Sequence, residues 1–349
     1  MIWVRLGCIA ITLAAAFAQE KDAFDLNERG NEASSRGDYV EAQRLFNDAI
    51  AIWTRLGPSY EAHLATSQTN LAQALGAVGN RREASRALQN AWVGFRHSLG
   101  AEHLRSLIAQ NLLAGNLLAE GDDPRAAALF ADALAVERRL YPADVQVSRS
   151  LSGLSLLHLR AGRVQDALPL AEEALSIALK AEGDSSLDAA LAFANVAEVH
   201  RLAGRLDRAL PLYRKARSLY EKLIGPDCPR VASIISQEGL ILMQEGKLSL
   251  AEKQMKQSLK ILAEVCPGCA YEQAVAETNL GVLRQKQGKY QDADRILTHV
   301  VSLLEDHMEK PGTLMASALH SLAQVREKER MHEDAARLQQ RADLILAYR

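Results

Sequence analysis

Apolar residues recur three and four positions apart over almost the whole chain, as in Leu71, Leu75 and Val78 and again in Leu88, Ala91 and Trp92. That spacing places them on one face of a helix. The predicted helices are punctuated at fixed intervals by Gly37, Gly79, Gly121, Gly162, Gly204, Gly246 and Gly288, with gaps of 42, 42, 41, 42, 42 and 42. One more step of 42 lands on Arg330, so an eighth unit keeps the frame without the glycine. Five residues after each mark stands an alanine, from Ala42 to Ala335, in all eight units. Seven before each mark stands a small residue: Gly30, Ala72, Ala114, Ser155, Ala197, Gly239, Gly281 and Ala323.

Small residues on facing helices let two backbones approach to about 8–10 Å. A glycine between them ends the first helix in a left-handed conformation that other side chains disfavour. Segments such as Leu56-Gly57-Pro58-Ser59 and Ile224-Gly225-Pro226-Asp227 end the second helix before the next unit begins. Each unit is therefore predicted to be a helical hairpin whose apolar face only its neighbours can bury. Position nine after the mark is Phe46, Leu88, Phe130, Ala171, Tyr213, Met255 and Leu297 in seven units and Gln339 in the eighth. Asp343 adds a second polar residue to that last helix. The eighth unit thus reads as a solvated end, with no ninth repeat expected.

The first eighteen residues follow a different pattern. Met1 to Arg5 carries one positive charge, Leu6 to Phe17 is uncharged and mostly apolar, and Ala16-Phe17-Ala18 leads into Gln19-Glu20-Lys21-Asp22. This is the layout of a secretory signal with a small-x-small cleavage site. About twelve apolar residues are too few to span a bilayer, which needs roughly twenty. Residues 1–18 are expected to be a signal peptide, 19–22 a short leader and 23–349 the repeat array, with an uncleaved anchor as the other reading. Acylation at Cys8 is not expected, because Arg5 stands where an apolar residue belongs. The mature protein is expected in a periplasm or outside the cell, with no membrane span after cleavage.

The chain of 349 residues is 48% hydrophobic and 24% charged, which argues against disorder, collagen and a many-span membrane protein. Its 41 basic and 43 acidic residues leave no positive excess to hold nucleic acid or an anionic membrane. Nucleotide-binding glycine loops, a zinc-protease H-E-x-x-H and a nucleophile elbow are all missing from the sequence. We therefore expect no enzyme and no cofactor.

Thr278-Asn279-Leu280-Gly281 through Gln287-Gly288-Lys289-Tyr290-Gln291-Asp292-Ala293, and the junction Gly225-Pro226-Asp227-Cys228-Pro229-Arg230-Val231-Ala232, resemble the tetratricopeptide repeat. The 42-residue period is similar to its kinesin-light-chain-like subclass. The resemblance covers about residues 23–349. It departs at Arg330, at the 41-residue step to Gly162, and in having no proline that closes the second helix. It implies an all-α, right-handed superhelical solenoid of about eight antiparallel helix hairpins. It also implies that the first helices line a concave groove where a peptide or protein segment binds.

Counting back nine and ten from the marks gives the groove candidates Asn70, Asn111, Asn195, Gln237, Thr278 and Asn279. Such side chains are unusual inside helices, because they compete for the helix's own hydrogen bonds. An amide can both donate to and accept from a peptide backbone. Arg160, Arg201 and Arg149 are expected to form a basic spot suited to a carboxylate. No unit has the lysine ten before its mark that the clamp of chaperone-binding relatives needs. The partner's identity, and the oligomeric state, are not legible.

Removal of Cys8 with the signal leaves Cys228, Cys266 and Cys269. Cys266-Pro267-Gly268-Cys269 spells C-x-x-C, which elsewhere marks redox sites that sit behind a strand at a helix start. Export favours a disulfide among these three over free thiols or redox chemistry. A metal site is not expected there. His158 and His200, four before consecutive marks, read as core residues in preference to a metal pair. The function expected is an exported, non-catalytic interaction scaffold. A thiol–disulfide exchange factor using Cys266 and Cys269, and an envelope-assembly component acting through its convex face, are the alternatives.

Overall fold

A computed structural model describes residues 2–307 and 312–347, with side chains over 17–306 and 312–347. Among the described residues there are sixteen α-helices, a 3-10 turn at Pro58–Tyr60 and no strand. The helices pair about the predicted marks. Gly37 separates α1 (Ile2–Ser35) from α2 (Tyr39–Leu56), and Gly79 separates α3 (Glu61–Ala77) from α4 (Arg81–Leu99). The next pairs are α5 (Leu104–Glu120) with α6 (Asp123–Leu140), α7 (Val145–Arg160) with α8 (Val164–Glu182), and α9 (Leu187–Leu202) with α10 (Leu206–Ile224). The last three are α11 (Pro229–Gln244) with α12 (Leu248–Val265), α13 (Ala270–Lys286) with α14 (Tyr290–His307), and α15 (Thr313–Lys328) with α16 (His332–Ala347). The chain divides into two compact units, one reaching Asn116 and one beginning at Leu117, within α5. Each is a stack of helical hairpins, so the fold is a helical-repeat solenoid.

The turn inside each hairpin has one chemistry throughout. The residue after the mark donates its amide five residues back, as Asp38 N to Ala33 O at 2.9 Å and Lys289 N to Arg284 O at 2.9 Å. This closes the helix end in a Schellman motif, which needs a left-handed residue at the mark. All seven glycines have positive φ, and Arg330 adopts φ 66° in the same place, with Met331 N bonding Arg326 O at 2.8 Å. The frame therefore overrides the side chain at the eighth turn.

Small positions mark where helices press together. A Cβ on Gly30 would lie 2.5 Å from the Phe46 ring, and one on Gly281 would lie 2.8 Å from Leu297. The residue seven before the mark thus receives the large residue nine after it. Ser155 uses the same closeness to donate to Ala167 O at 2.9 Å. Phe46 and Leu297 are 1% and 0% exposed, and such burial contributes roughly 1.5–3 kcal/mol per side chain. Gly153, nine before its mark, instead faces Phe130 on α6, with 2.3 Å to a hypothetical Cβ. At the end of the stack α16 buries only Ala335 and Ala342, while Gln339 donates to Asp343 at 3.0 Å.

Corners between hairpins are built differently. Gly57, Gly100, Gly183 and Gly225 cap α2, α4, α8 and α10, each with positive φ and extended ψ. The corner after α12 has Cys266 in that place, with φ −148°, and a disulfide from Cys266 to Cys269.

Candidate functional site

The expected groove residues have different fates. Thr278 is 5% exposed and turns back on its own helix, donating from Oγ1 to Ala274 O at 2.6 Å. Asn111 is also 5% exposed. These two are corrected from groove to interior, because a threonine satisfied by its own helix and a buried amide present nothing to a partner. Asn70 is half-buried on α3 of the first unit. In the second unit Asn195, Gln237 and Asn279 stay half-buried at the same frame position of α9, α11 and α13. Asn279 Nδ2 donates to Ser236 Oγ of the preceding inner helix at 3.0 Å. The Gln237 carboxamide oxygen is buried away from solvent, with no hydrogen-bond partner.

The expected basic spot does not form as free charge. Arg149 makes two bonds to Asp188, at 2.7 and 2.8 Å. Arg201 is gripped by Glu198, which also accepts from the Tyr213 hydroxyl. Arg160 Nη1 donates to Asp123 Oδ1 at 2.8 Å and Leu118 O at 2.7 Å. The reason is desolvation: cations pressed between helices need carboxylate partners. Burial works against the Arg201 cation, but the bonds and charge of Glu198 outweigh it and raise its pKa. Further along, Arg284 pairs with Glu252 and Arg326 with Asp294, joining consecutive hairpins. Hydrogen bonds from Arg284 hold the Glu252 carboxyl far below its ordinary range.

One contact spans the stack. Arg160 Nη2, at the end of α7, donates to Tyr271 Oη on α13 at 3.1 Å, across 111 residues of sequence. Tyr271, Asp123, Asp188 and Glu198 were all missed in the sequence reading. The ion pairs had one available signal: Arg284–Glu252 and Arg326–Asp294 have the same 32-residue separation, one repeat period apart. Nothing in the spacing signals Tyr271.

Cys266 and Cys269 are paired, with Cα atoms 5.3 Å apart, and are 1% and 3% exposed. Cys228 is a free, half-buried thiol that caps α11, accepting from Val231 N at 3.5 Å. His200 is 6% exposed, and burial, then Arg205 and Arg208, push its pKa down. His158 approaches Asp166 at 3.6 Å. Among the described residues no group of three or more His, Cys, Asp or Glu is placed to hold a metal ion, and no helix is long and apolar enough to cross a membrane.

Family models described as tetratricopeptide repeat match residues 64–105, 105–180 and 187–264. No curated protein matches the chain in sequence. Among solved structures, a Rap protein complexed with competence and sporulation factor is similar at TM-score 0.64 and 14% identity, covering 96% of this chain and 98% of that one. The Rap conjugation gene regulator of plasmid pLS20, in complex with the Phr* peptide, is similar at TM-score 0.62 and 17% identity, covering 88% and 75%. Kinesin-light-chain-type repeats from Podosopora anserina align at TM-score 0.46 and 23% identity, covering 59% of this chain and 98% of that one.

Proposed function

Because this chain belongs to the tetratricopeptide repeat family, matched from residue 64 to 264, we propose that it is an exported, non-catalytic scaffold for protein–protein interaction. It receives an extended peptide or protein segment on the inner-helix face of its second unit. The observation that carries this reading is the row Asn195, Gln237 and Asn279, half-buried at one frame position of three successive inner helices. An amide row of this kind reads a peptide backbone without requiring a particular sequence. The Rap structures are complexes with a factor and a peptide, and on the same helical-repeat fold we propose a peptide occupant here.

Export is supported by two features. Phe17 and Ala18, the two residues ahead of Gln19 whose side chains are described, are exposed, Phe17 at 73%, and the first buried one among the described side chains of α1 is Ala23. Cleavage after Ala18 therefore removes no packing among them. The Cys266–Cys269 disulfide also suits an oxidising compartment. N-terminal sequencing of the protein recovered from a bacterial periplasm is expected to begin at Gln19, and a chain that still begins at Met1 contradicts this. Thiol exchange is disfavoured, because both sulfurs of the pair are buried and an exchanging thiol must be reached.

Selection of peptides from a random display library tests the binding face. The probe proteins are the wild type and a variant with Asn195→Ala, Gln237→Ala and Asn279→Ala, matched in helicity by circular dichroism. Peptides that bind the wild type and lose tenfold or more affinity for the variant support the inner-helix site. Equal binding to both moves the site elsewhere, with the outer helices next.

A further inference from the structure

α7 and α13 belong to hairpins three steps apart in the second unit, with the inner helices α9 and α11 between them in the stack. The inner helices must curl enough for Arg160 to reach Tyr271. Both ends of that contact are braced from behind. The Arg160 guanidinium is fixed by Asp123 and Leu118 O, so its direction is set before Tyr271 arrives. Tyr271 is the second residue of α13, immediately beyond the stapled corner. There the Cys269 amide donates to Cys266 O at 2.9 Å, and Gln273 Nε2 donates to the Cys266 and Pro267 carbonyls at 3.4 and 3.3 Å. Four other corners use a positive-φ glycine in the place of Cys266. The one corner held by a disulfide is followed by the side chain that crosses to α7.

We infer that residues 266–271 form a strap, latched by the Arg160–Tyr271 hydrogen bond, that gates entry to the inner-helix face carrying Asn195 and Gln237. The disulfide holds the strap in the position from which Tyr271 meets Arg160. The latch itself is a reversible bond between a cation and a neutral phenol. While it is made, it ties α7 to α13, and a partner is admitted to the face after unlatching. This inference rests on the inner-helix face being the binding face, but its test needs no partner, so the two can fail separately.

The test measures how fast a thiol reagent reaches that face. A reporter is placed by Gln237→Cys in a Cys8→Ser, Cys228→Ser background of the full chain, and its reaction with 5,5′-dithiobis(2-nitrobenzoic acid) is followed by absorbance. Tyr271→Phe, which removes one oxygen, is added to it. A control reporter at Leu250→Cys sits on α12, where the native side chain is 55% exposed. Unlatching is expected to speed labelling at 237 by about tenfold, the factor that 1.4 kcal/mol represents, with the control unchanged. Cys266→Ser with Cys269→Ser is expected to give the same acceleration. An unchanged rate at 237 in Tyr271→Phe overturns the latch. Acceleration by Tyr271→Phe with none from the cysteine pair overturns the role of the disulfide, provided circular dichroism shows that this variant is folded. If it does not fold, the disulfide of the reporter chain carrying Gln237→Cys and Cys228→Ser is reduced under mild conditions, the reductant is removed, and modification at position 237 alone is followed by peptide mass spectrometry, with the same two outcomes.

Discussion

Two corners of the second unit perform one task with different chemistry. After α10 the chain turns through Gly225, at φ 95° and ψ 161°, and starts α11 with the free thiol of Cys228 as its cap. After α12 it turns through Cys266 at φ −148° and is closed by the bridge to Cys269. The first corner depends on backbone freedom, because that combination of φ and ψ is open to glycine almost alone. The second reaches an equivalent turn with ordinary dihedral angles and a covalent tie. The repeat frame thus dictates where a corner falls and leaves open what holds it.

Substitutions at these corners separate the two chemistries. Gly225→Ala forces a side chain into a glycine-only conformation and is expected to cost roughly 2–3 kcal/mol, measured by urea denaturation. Changing Cys266 and Cys269 both to Ser opens a four-residue loop and is expected to cost about 2 kcal/mol on the chain-entropy account. If that pair costs nothing, the corner is held by Gln273 and the capping bonds alone. Arg330 sharpens the comparison from the other side, since it occupies a left-handed turn that glycine fills in seven other hairpins. Arg330→Gly relieves roughly 1–2 kcal/mol of left-handed strain and gives back roughly 0.5–1 in chain entropy. A net gain of about 0.5 kcal/mol in thermal unfolding is the expected result. The smallest effect is at Cys228→Ser, where a hydroxyl replaces a weak thiol acceptor at the α11 cap, and stability is expected to move by only a few tenths of a kcal/mol.

The comparison also explains what could be read from the chain. Every turn mark, Arg330 included, was legible, because a left-handed Schellman turn and a small-residue seam recur at a fixed period. The packing of Gly281 on Leu297 follows from the same arithmetic. The fate of single polar side chains did not follow. Asn111 and Thr278, ten before their marks and next in the frame to the row nine before, are expected in the groove with it, yet both are buried. Arg149, Arg160 and Arg201 read as a free basic spot, but each has a carboxylate partner, on the same helix for Arg201 and one or two helices away for the other two. Frame arithmetic gives the address of a residue, whereas its hydrogen-bond partner depends on curl and rotamer. Arg160 and Tyr271, three hairpins apart, are the extreme case.

The proposed binding face is the amide row of the inner helices. Hydrogen–deuterium exchange of the chain with and without a peptide from the display selection tests it. Slower exchange is expected in α9, α11 and α13, around Asn195, Gln237 and Asn279, with α10 and α12 unchanged. Protection confined to α10 and α12 would place the partner on the outer helices and contradict the claim.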